Sequence, residues 1–352
     1  MSLDTSRLDA ERSRLVMIQP EPFNAEAPPE ALHGEITPVA LHYVRSNFAL
    51  PEHDGTLHVG GAVRRPLTFS LEDLRAMTPV TRRVTFECAG NGRIGQAPMP
   101  LGEPWGWNAV STAQWTGVLL HELLAKAEPD ANGVDVLFEG ADHGPYHQYD
   151  DITYVRSLNL AHAVDPAAEI MIAHEMNGEP LTADHGAPFR LVVPNWYGMA
   201  SVKWLTRIDV IREKHEGEFQ VGHYVYQWPD RPHEPVTVMR VRARITDPSP
   251  AAVLPVGKYR IRGKAWSGNG PITCVEVSIG DDTDWHVAHV DPAGGPYHWQ
   301  DWSYVWDVTK RGRHTIRARA SDAAGHTQPD SPPWNRLGYG NNAIEVLFVD
   351  VR

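Results

Sequence analysis

The sequence predicts two folded domains, an α+β domain with strands and helices in mixed order followed by an all-β sandwich. Three observations predict this. A chain of 352 residues is too long for one ordinary core and has 42% hydrophobic residues with which to fill two. Strand-like and helix-like segments mix between about 56 and 235 without regular βαβ alternation, which disfavours a Rossmann domain. Beyond a second cluster of prolines, from Pro229 to Pro255, the regular segments alternate with period two.

Taken in order, residues 1–35 are polar and proline-bearing, as in "QPEPFNAEAPPE", and predict an extended arm rather than a packed element. The first domain is expected over 36–235. "TLHVGGAV" and "RRVTFECAG" predict strands, and "SLEDLRAM" predicts a short helix capped by Ser70. "TGVLLHELLAKA" predicts a second helix with Leu119, Leu120, Leu123 and Leu124 as its apolar stripe; "PFRLVVPNW" and "VKWLTRIDVI" predict buried strands. The second domain is expected over 236–352, with inward faces Tyr259/Ile261/Gly263/Ala265, Val275/Val277/Ile279, Trp302/Tyr304/Trp306/Val308 and Ile344/Val346/Phe348. Turns at "GDD", "DPAGG", "KRGR" and "DAAG" separate these strands, the spacing of a β-sandwich. Trp266, Trp285 and the tryptophans of 299–306 are expected to fill core and interface.

Composition excludes several function classes. A formal charge of -12 argues against a broad nucleic-acid footprint, so any anion site must be a local basic pocket. No run of about 18 apolar residues predicts a membrane span. Met1 to Pro20 has neither an apolar signal core nor a twin arginine, so a cytoplasmic location is expected. Two cysteines exclude a disulfide framework.

The chemistry concentrates in "TFECAGNGR" at 85–93, where Cys88 lies between a strand-like run and a glycine-rich turn. Nearby positive charge and converging backbone N–H groups favour a thiolate; Arg82, Arg83 and Arg93 are the candidate charges. A thiolate suits soft metals, but most such sites need two to four protein ligands, and Cys274 is remote with no C-x-x-C present. The residues alone leave open whether Cys88 is a ligand or an inert buried thiol. His121-Glu122 and His174-Glu175 lack the second histidine of a zinc helix, "GNGRIGQ" lacks the ending of a P-loop, "KAWSGNG" fits a turn, and "GADHGPYHQYDD" at 140–151 reads as a solvated loop before a divalent-ion site.

Four ordered segments, "HYVRSNFALP" at 42–51, "FECAGNGR" at 86–93, "WGWNAVSTAQWTGVLLHELL" at 105–124 and "HEMNGEPLTADHGAPFRLVVPNWYGMASVKWL" at 174–205, resemble the sulfite oxidase family of molybdenum-cofactor enzymes. The resemblance implies a molybdenum-cofactor domain of the sulfite oxidase type followed by an immunoglobulin-like dimerisation domain, hence a homodimer. It implies the molybdenum-molybdopterin cofactor with Cys88 as the metal ligand, the pterin supplying the other sulfurs. Cofactor-binding roles fall by resemblance on Asn47, Asp142, His185, Arg190, Ser201 and Lys203. Arg45, Arg93, Trp105 and Tyr224 match the family's substrate pocket, with Tyr226 as a competing alignment for the tyrosine. The implied reaction is oxidation of sulfite to sulfate by oxo transfer, with electrons passed to an external acceptor, a cytochrome among the candidates, since no haem attachment motif is present. Reduction of another oxo substrate, nitrate or a sulfoxide, is the alternative within the cofactor class, and a cofactor-free binding protein the alternative outside it. Two departures from the family pattern stand out: Gly92 replaces an arginine of the Cys-Ala-Gly-Asn-Arg-Arg run, and Pro271 stands where animal members place a pocket arginine. A less positive anion site is expected, and an arginine restored at Gly92 is expected to tighten sulfite binding.

Overall fold

The computed structural model describes residue 10, residues 12–280 and residues 284–352. The beginning of the expected arm and part of the "GDD" turn lie outside the described residues. Residues 24–28 of the arm are buried and paired, contrary to expectation. Val16–Gln19 pairs antiparallel with Asn24–Glu26, which is fully buried. Ala25 exchanges backbone hydrogen bonds of 3.0 and 2.9 Å with Val44. The small side chains of Ala25 and Ala27 permit this close approach, and backbone pairing leaves no trace in polarity or proline content.

The first domain is built on two five-stranded sheets. One runs Glu179–Pro180, Met171–Met176, Val110–Leu119, Val80–Glu87, with Arg190–Val192 also paired to Met171–Met176. The other runs Leu67–Ser70, Thr56–Gly61, Leu205–Ile211, Asp135–Tyr146, Tyr149–Asn159, antiparallel except where Thr56–Gly61 lies parallel to Leu205–Ile211. The helix Leu71–Arg75 starts on the expected cap: the Ser70 hydroxyl accepts from the Asp73 N–H while the Asp73 carboxylate accepts from the Ser70 N–H, a capping box. The second helix is shorter than expected. Thr116 to Leu119 continue the strand Val110–Leu119, whose residues pair with Met171–Met176, and the helix occupies Leu120–Ala127, burying Leu120, Leu123, Leu124 and Ala127. Ladder pairing overrides the weak helical preference of Thr116 and Val118. Residues 140–151 form a long hairpin between Asp135–Tyr146 and Tyr149–Asn159 in place of the expected loop. Its polar composition reflects an exposed tip: His143 pairs with Asp151 at 2.8 Å in solvent.

The second domain stacks a four-stranded sheet, Arg242–Asp247, Gly257–Trp266, Gln300–Val308 and His289–Val290, on a five-stranded one, Val253–Leu254, Val346–Val351, Gly312–Asp322, Ile272–Ile279 and His286–Val287. Ile261, Ala265, Val275, Val277, Trp302 and Val308 enter the shared core as the alternation predicts. Trp266, Trp299 and Trp302 are buried, whereas Trp285 lies against the guanidinium groups of Arg317 and Arg319. The last strand is the exception. Leu347, Val349 and Val351 face the core and Val346 and Phe348 face outward, one residue out of step with the expected face. Apolar residues occupy both parities of this segment, so alternation cannot choose between faces, and pairing with Gly312–Asp322 sets the register. Truncating Leu347 to alanine is therefore expected to cost about 2–4 kcal/mol, and Val346→Ala less than about 0.5 kcal/mol, measured by urea unfolding; equal losses would reverse this assignment.

The two cores join. Trp266, Trp299 and Tyr339 of the second half pack into the main core of the first, and chain continuity carries Met239 in one core and Val241 in the other. This seam lies directly behind Cys88.

Candidate active site

The strand Val80–Glu87 delivers Cys88 to the turn that follows it, and the second domain clamps that turn. Cys88 N–H donates to Ala109 O at 2.8 Å, Gly340 N–H to Ala89 O at 2.8 Å, and Asn341 Nδ2 to Gly92 O at 2.6 Å. Beside Cys88, the Glu87 carboxylate accepts from Arg242 NH1 at 2.7 Å, Trp266 Nε1 at 2.9 Å and Asn91 Nδ2 at 2.9 Å. Glu87 and Arg242 are each only 2% exposed, a fully buried ion pair spanning the two domains.

Cys88 opens into a cavity. Arg45, Asn47, Asp142, His185, Arg190, Ser201, Lys203 and Tyr224 line it with Cys88, so nine of the eleven residues expected at the site are brought together. They arrive from separate elements: Arg45 and Asn47 from the loop after Val44, Asp142 from the strand Asp135–Tyr146, His185 from the turn Ala183–His185, Arg190 from the head of Arg190–Val192, and Ser201 and Lys203 from the turn before Leu205–Ile211. Of the two aligned tyrosines, Tyr224 lines the cavity, its hydroxyl 3.2 Å from Asn47 Nδ2, whereas Tyr226 packs against Arg240 and Trp228 outside it. Tyr224 holds φ at +55°, a strained value for a bulky residue and one commonly kept where a side chain must be aimed.

Arg93 and Trp105 do not line the cavity. The Arg93 side chain is 2% exposed and donates to Leu337 O at 3.0 Å and Glu103 O at 2.6 Å, lying against Gly90 behind the cysteine turn. Trp105 is wholly buried in the apolar cluster that also holds Tyr43, Phe86 and Cys88. The charges expected around the thiol also differ. Arg82 pairs with Glu169 and Arg83 with Glu35, because residues five and six positions back along a strand lie roughly 16–20 Å away. Burial pushes the Cys88 thiol up to about 11, opposed first by the Arg45 guanidinium and then by the Gly90 N–H and Arg93, so the free thiol stays protonated at neutral pH.

The cavity is basic. Arg190 sits 5.0 Å over both the Phe86 and Trp115 rings and donates to the carbonyls of His185 and Ser201; no carboxylate pairs with it among the described residues. Its burial draws its pKa down to about 10. Lys203 Nζ donates to Ser46 Oγ at 2.8 Å and Asp184 O at 2.9 Å; burial lowers its pKa and raises that of Asp142. Burial, with Lys203 and Arg190 nearby, depresses His185 to about 3, so it is a neutral ring that can accept or donate one hydrogen bond. The sequence reading missed His42, which stacks on Tyr43 and meets His185 edge-on at 5.0 Å; it sits in a quoted segment but carries no motif of its own.

Two buried polar atoms of residues lining this cavity, Asp142 Oδ1 and His42 Nε2, have no hydrogen-bond partner among the described residues. Each such atom costs about 1–3 kcal/mol unless a ligand satisfies it. A ligand with polar ring edges and an anionic tail fits: Asp142 and His42 meet the edges, and Arg190 and Lys203 meet the charge. The molybdenum-pterin group has this chemistry, and Cys88 offers the one sulfur it requires from the protein. Among the described residues no cluster of three or more His, Cys, Asp or Glu is placed to hold a metal ion by itself.

Gly92 does not leave room for an arginine. Its φ is +81°, and an added Cβ would meet Arg242 NH2 and the Trp107 ring at 2.9 Å. A side chain here points into the domain seam, away from the cavity. Gly92→Arg is therefore expected to destabilise the fold by about 1–3 kcal/mol in urea unfolding without tightening any anion, replacing the expectation drawn from the sequence. Pro271 is exposed, with its carbonyl accepting from Ala323 N–H at 2.9 Å.

Comparison with known proteins agrees with this arrangement. Residues 47–219 match the oxidoreductase molybdopterin binding domain and residues 233–348 the Mo-co oxidoreductase dimerisation domain. The chain is 35% identical over 358 residues to the mitochondrial sulfite oxidase of Homo sapiens, covering 94% of this chain and 64% of the relative. It is 34% identical over 371 residues to nitrate reductase [NADH] 1 of Arabidopsis thaliana, covering 94% of this chain and 40% of the relative. The chain thus spans about two fifths to just under two thirds of these relatives. The sulfane dehydrogenase SoxCD from Paracoccus pantotrophus superposes with a TM-score of 0.85 at 28% identity, covering 99% of this chain and 92% of that one. With both domain matches in the family's order and the cysteine turn, basic cavity and C-terminal clamp in one structure, the chain belongs to the sulfite oxidase family of molybdenum-cofactor oxidoreductases.

Proposed function

We propose that this chain oxidises sulfite to sulfate and passes the electrons to a separate acceptor, a redox protein such as a cytochrome. The observation that carries the reading is that Cys88, the Arg45 guanidinium and the Tyr224 phenol share one cavity with the unpartnered atoms of Asp142 and His42. When bound, the cofactor supplies oxygen-atom transfer and stores the two electrons. Cys88 holds the metal; Arg190, Lys203, His185, Ser201, Asp142 and His42 hold the pterin, its charge and its polar edges. Arg45, fixed by Asn47 Oδ1 at 2.7 Å, presents a charged donor to an anion, and Tyr224, fixed by the same amide, presents a hydroxyl at the reacting end. Arg93 and Trp105 support this pocket from behind. The immunoglobulin-like sandwich over 236–352 serves dimerisation, as the family match for that segment suggests.

Reduction of nitrate is the second reading, favoured by the plant nitrate reductases, which match as well as the sulfite oxidases do. Initial rates on metal-loaded protein separate the two. Sulfite with ferricyanide as acceptor is expected to turn over, and nitrate or methionine sulfoxide with a reduced dye to give background rates; the reverse pattern would overturn the sulfite assignment.

A further inference from the structure

One carboxylate stands between Arg45, which lines the cavity, and Arg93, which lies behind it. Arg45 NH2 lies 3.1 Å from Glu103 Oε1, and Arg93 NH1 lies 3.6 Å from Glu103 Oε2. The donors of Arg45 are already committed: NH1 to Ser46 O and Asn24 Oδ1, and NH2 to Asn47 Oδ1 and Glu103. Arg93 is committed likewise, with Nε on Leu337 O and NH1 on the carbonyl and carboxylate of Glu103. The loop holds Glu103 in place: Gly102 takes φ +105°, which lets its backbone approach the Arg93 guanidinium to about one atomic contact, and Trp105 N–H donates to Glu103 O at 2.8 Å. Burial raises the carboxyl's pKa, but Arg45, a backbone N–H and Arg93 outweigh it and keep Glu103 ionised.

We infer that Glu103 is a built-in counter-ion that occupies the anion-binding edge of Arg45, so that an incoming oxyanion must displace it. The inference rests on the proposed oxo-anion function of this cavity and names its selectivity-setting residue. Glu103 acts through Arg45 and is a positioning residue. It weakens doubly charged oxyanions most and leaves uncharged oxo compounds unaffected, because only the former compete with a carboxylate for the same donors.

The experiment uses the metal-loaded full chain, wild type against Glu103→Gln, with Glu103→Leu as second variant should the amide fail to fold. Glu103 is 25% exposed, which favours tolerance. Sulfate, a dianion that does not react, is the binding probe. Its Kd is expected to fall about tenfold in the variant, the size of effect produced by removing an opposite charge within a few ångströms. The KM for sulfite should fall with kcat little changed. Sulfate binding that is unchanged or weaker would overturn the inference and make Glu103 a mere support for Arg45. Absence of sulfite turnover in the wild type would refute the substrate reading instead, and the sulfate ratio would still decide the role of Glu103.

Discussion

Serine at position 88 is expected to abolish turnover while leaving the fold in place. Cys88 is 7% exposed and packs with Tyr43, Phe86 and Trp105, so removing its sulfur changes little volume. The expected stability change is within about 1 kcal/mol. What is lost is the one thiol lining this cavity, since Cys274 lies on the strand Ile272–Ile279 of the second domain. An alcohol is a poor soft-metal ligand, so activity should drop to background with an unchanged unfolding midpoint. A serine variant with substantial activity would remove Cys88 from the site. An unfolded variant would instead make the thiol a core residue.

The second large effect falls on stability. Glu87→Ala leaves the Arg242 guanidinium buried without its counter-ion and orphans Trp266 Nε1 and Asn91 Nδ2. Breaking a buried pair from one side costs about 3–5 kcal/mol. The same change frees the residue adjoining Cys88 from the second domain, so the metal should be released more readily from purified protein on dialysis. Pairing Glu87→Ala with Arg242→Met is expected to recover much of the stability, since no unpaired charge then remains, but not the metal retention, since the link to the cysteine turn is still cut. A single variant that loses less than about 1 kcal/mol would contradict the view that this pair ties the domains together.

Residues with local causes were legible in the sequence. Ser70 caps its helix because Asp73 stands three residues on, and the strands around Val275 and Trp302 reveal their faces by alternation. The final strand misled because Val346, Leu347, Phe348 and Val349 are apolar on both sides. The start of the Leu120 helix misled because leucine is at home in either element and pairing with Met171–Met176 decides. At the site, the cysteine turn and the residues lining its cavity were identifiable through ordered segments of a family pattern. What lies between segments was not. The Glu87–Arg242 pair joins residues 155 apart, and the clamp of residues 335–342 on the cysteine turn is built largely from backbone carbonyls and N–H groups, which carry no sequence signature. Arg93 and Trp105 carry the right chemistry at the right spacing, yet the turn at Gly90 and Gly102 directs them behind the cavity.

The central claim is that the cavity at Cys88 holds a molybdenum cofactor. Molybdenum content of the protein, purified from a host that makes the cofactor, tests it most directly. The account predicts about one metal atom per chain; less than about one tenth, in folded protein, would contradict it and leave the cavity to some other ligand.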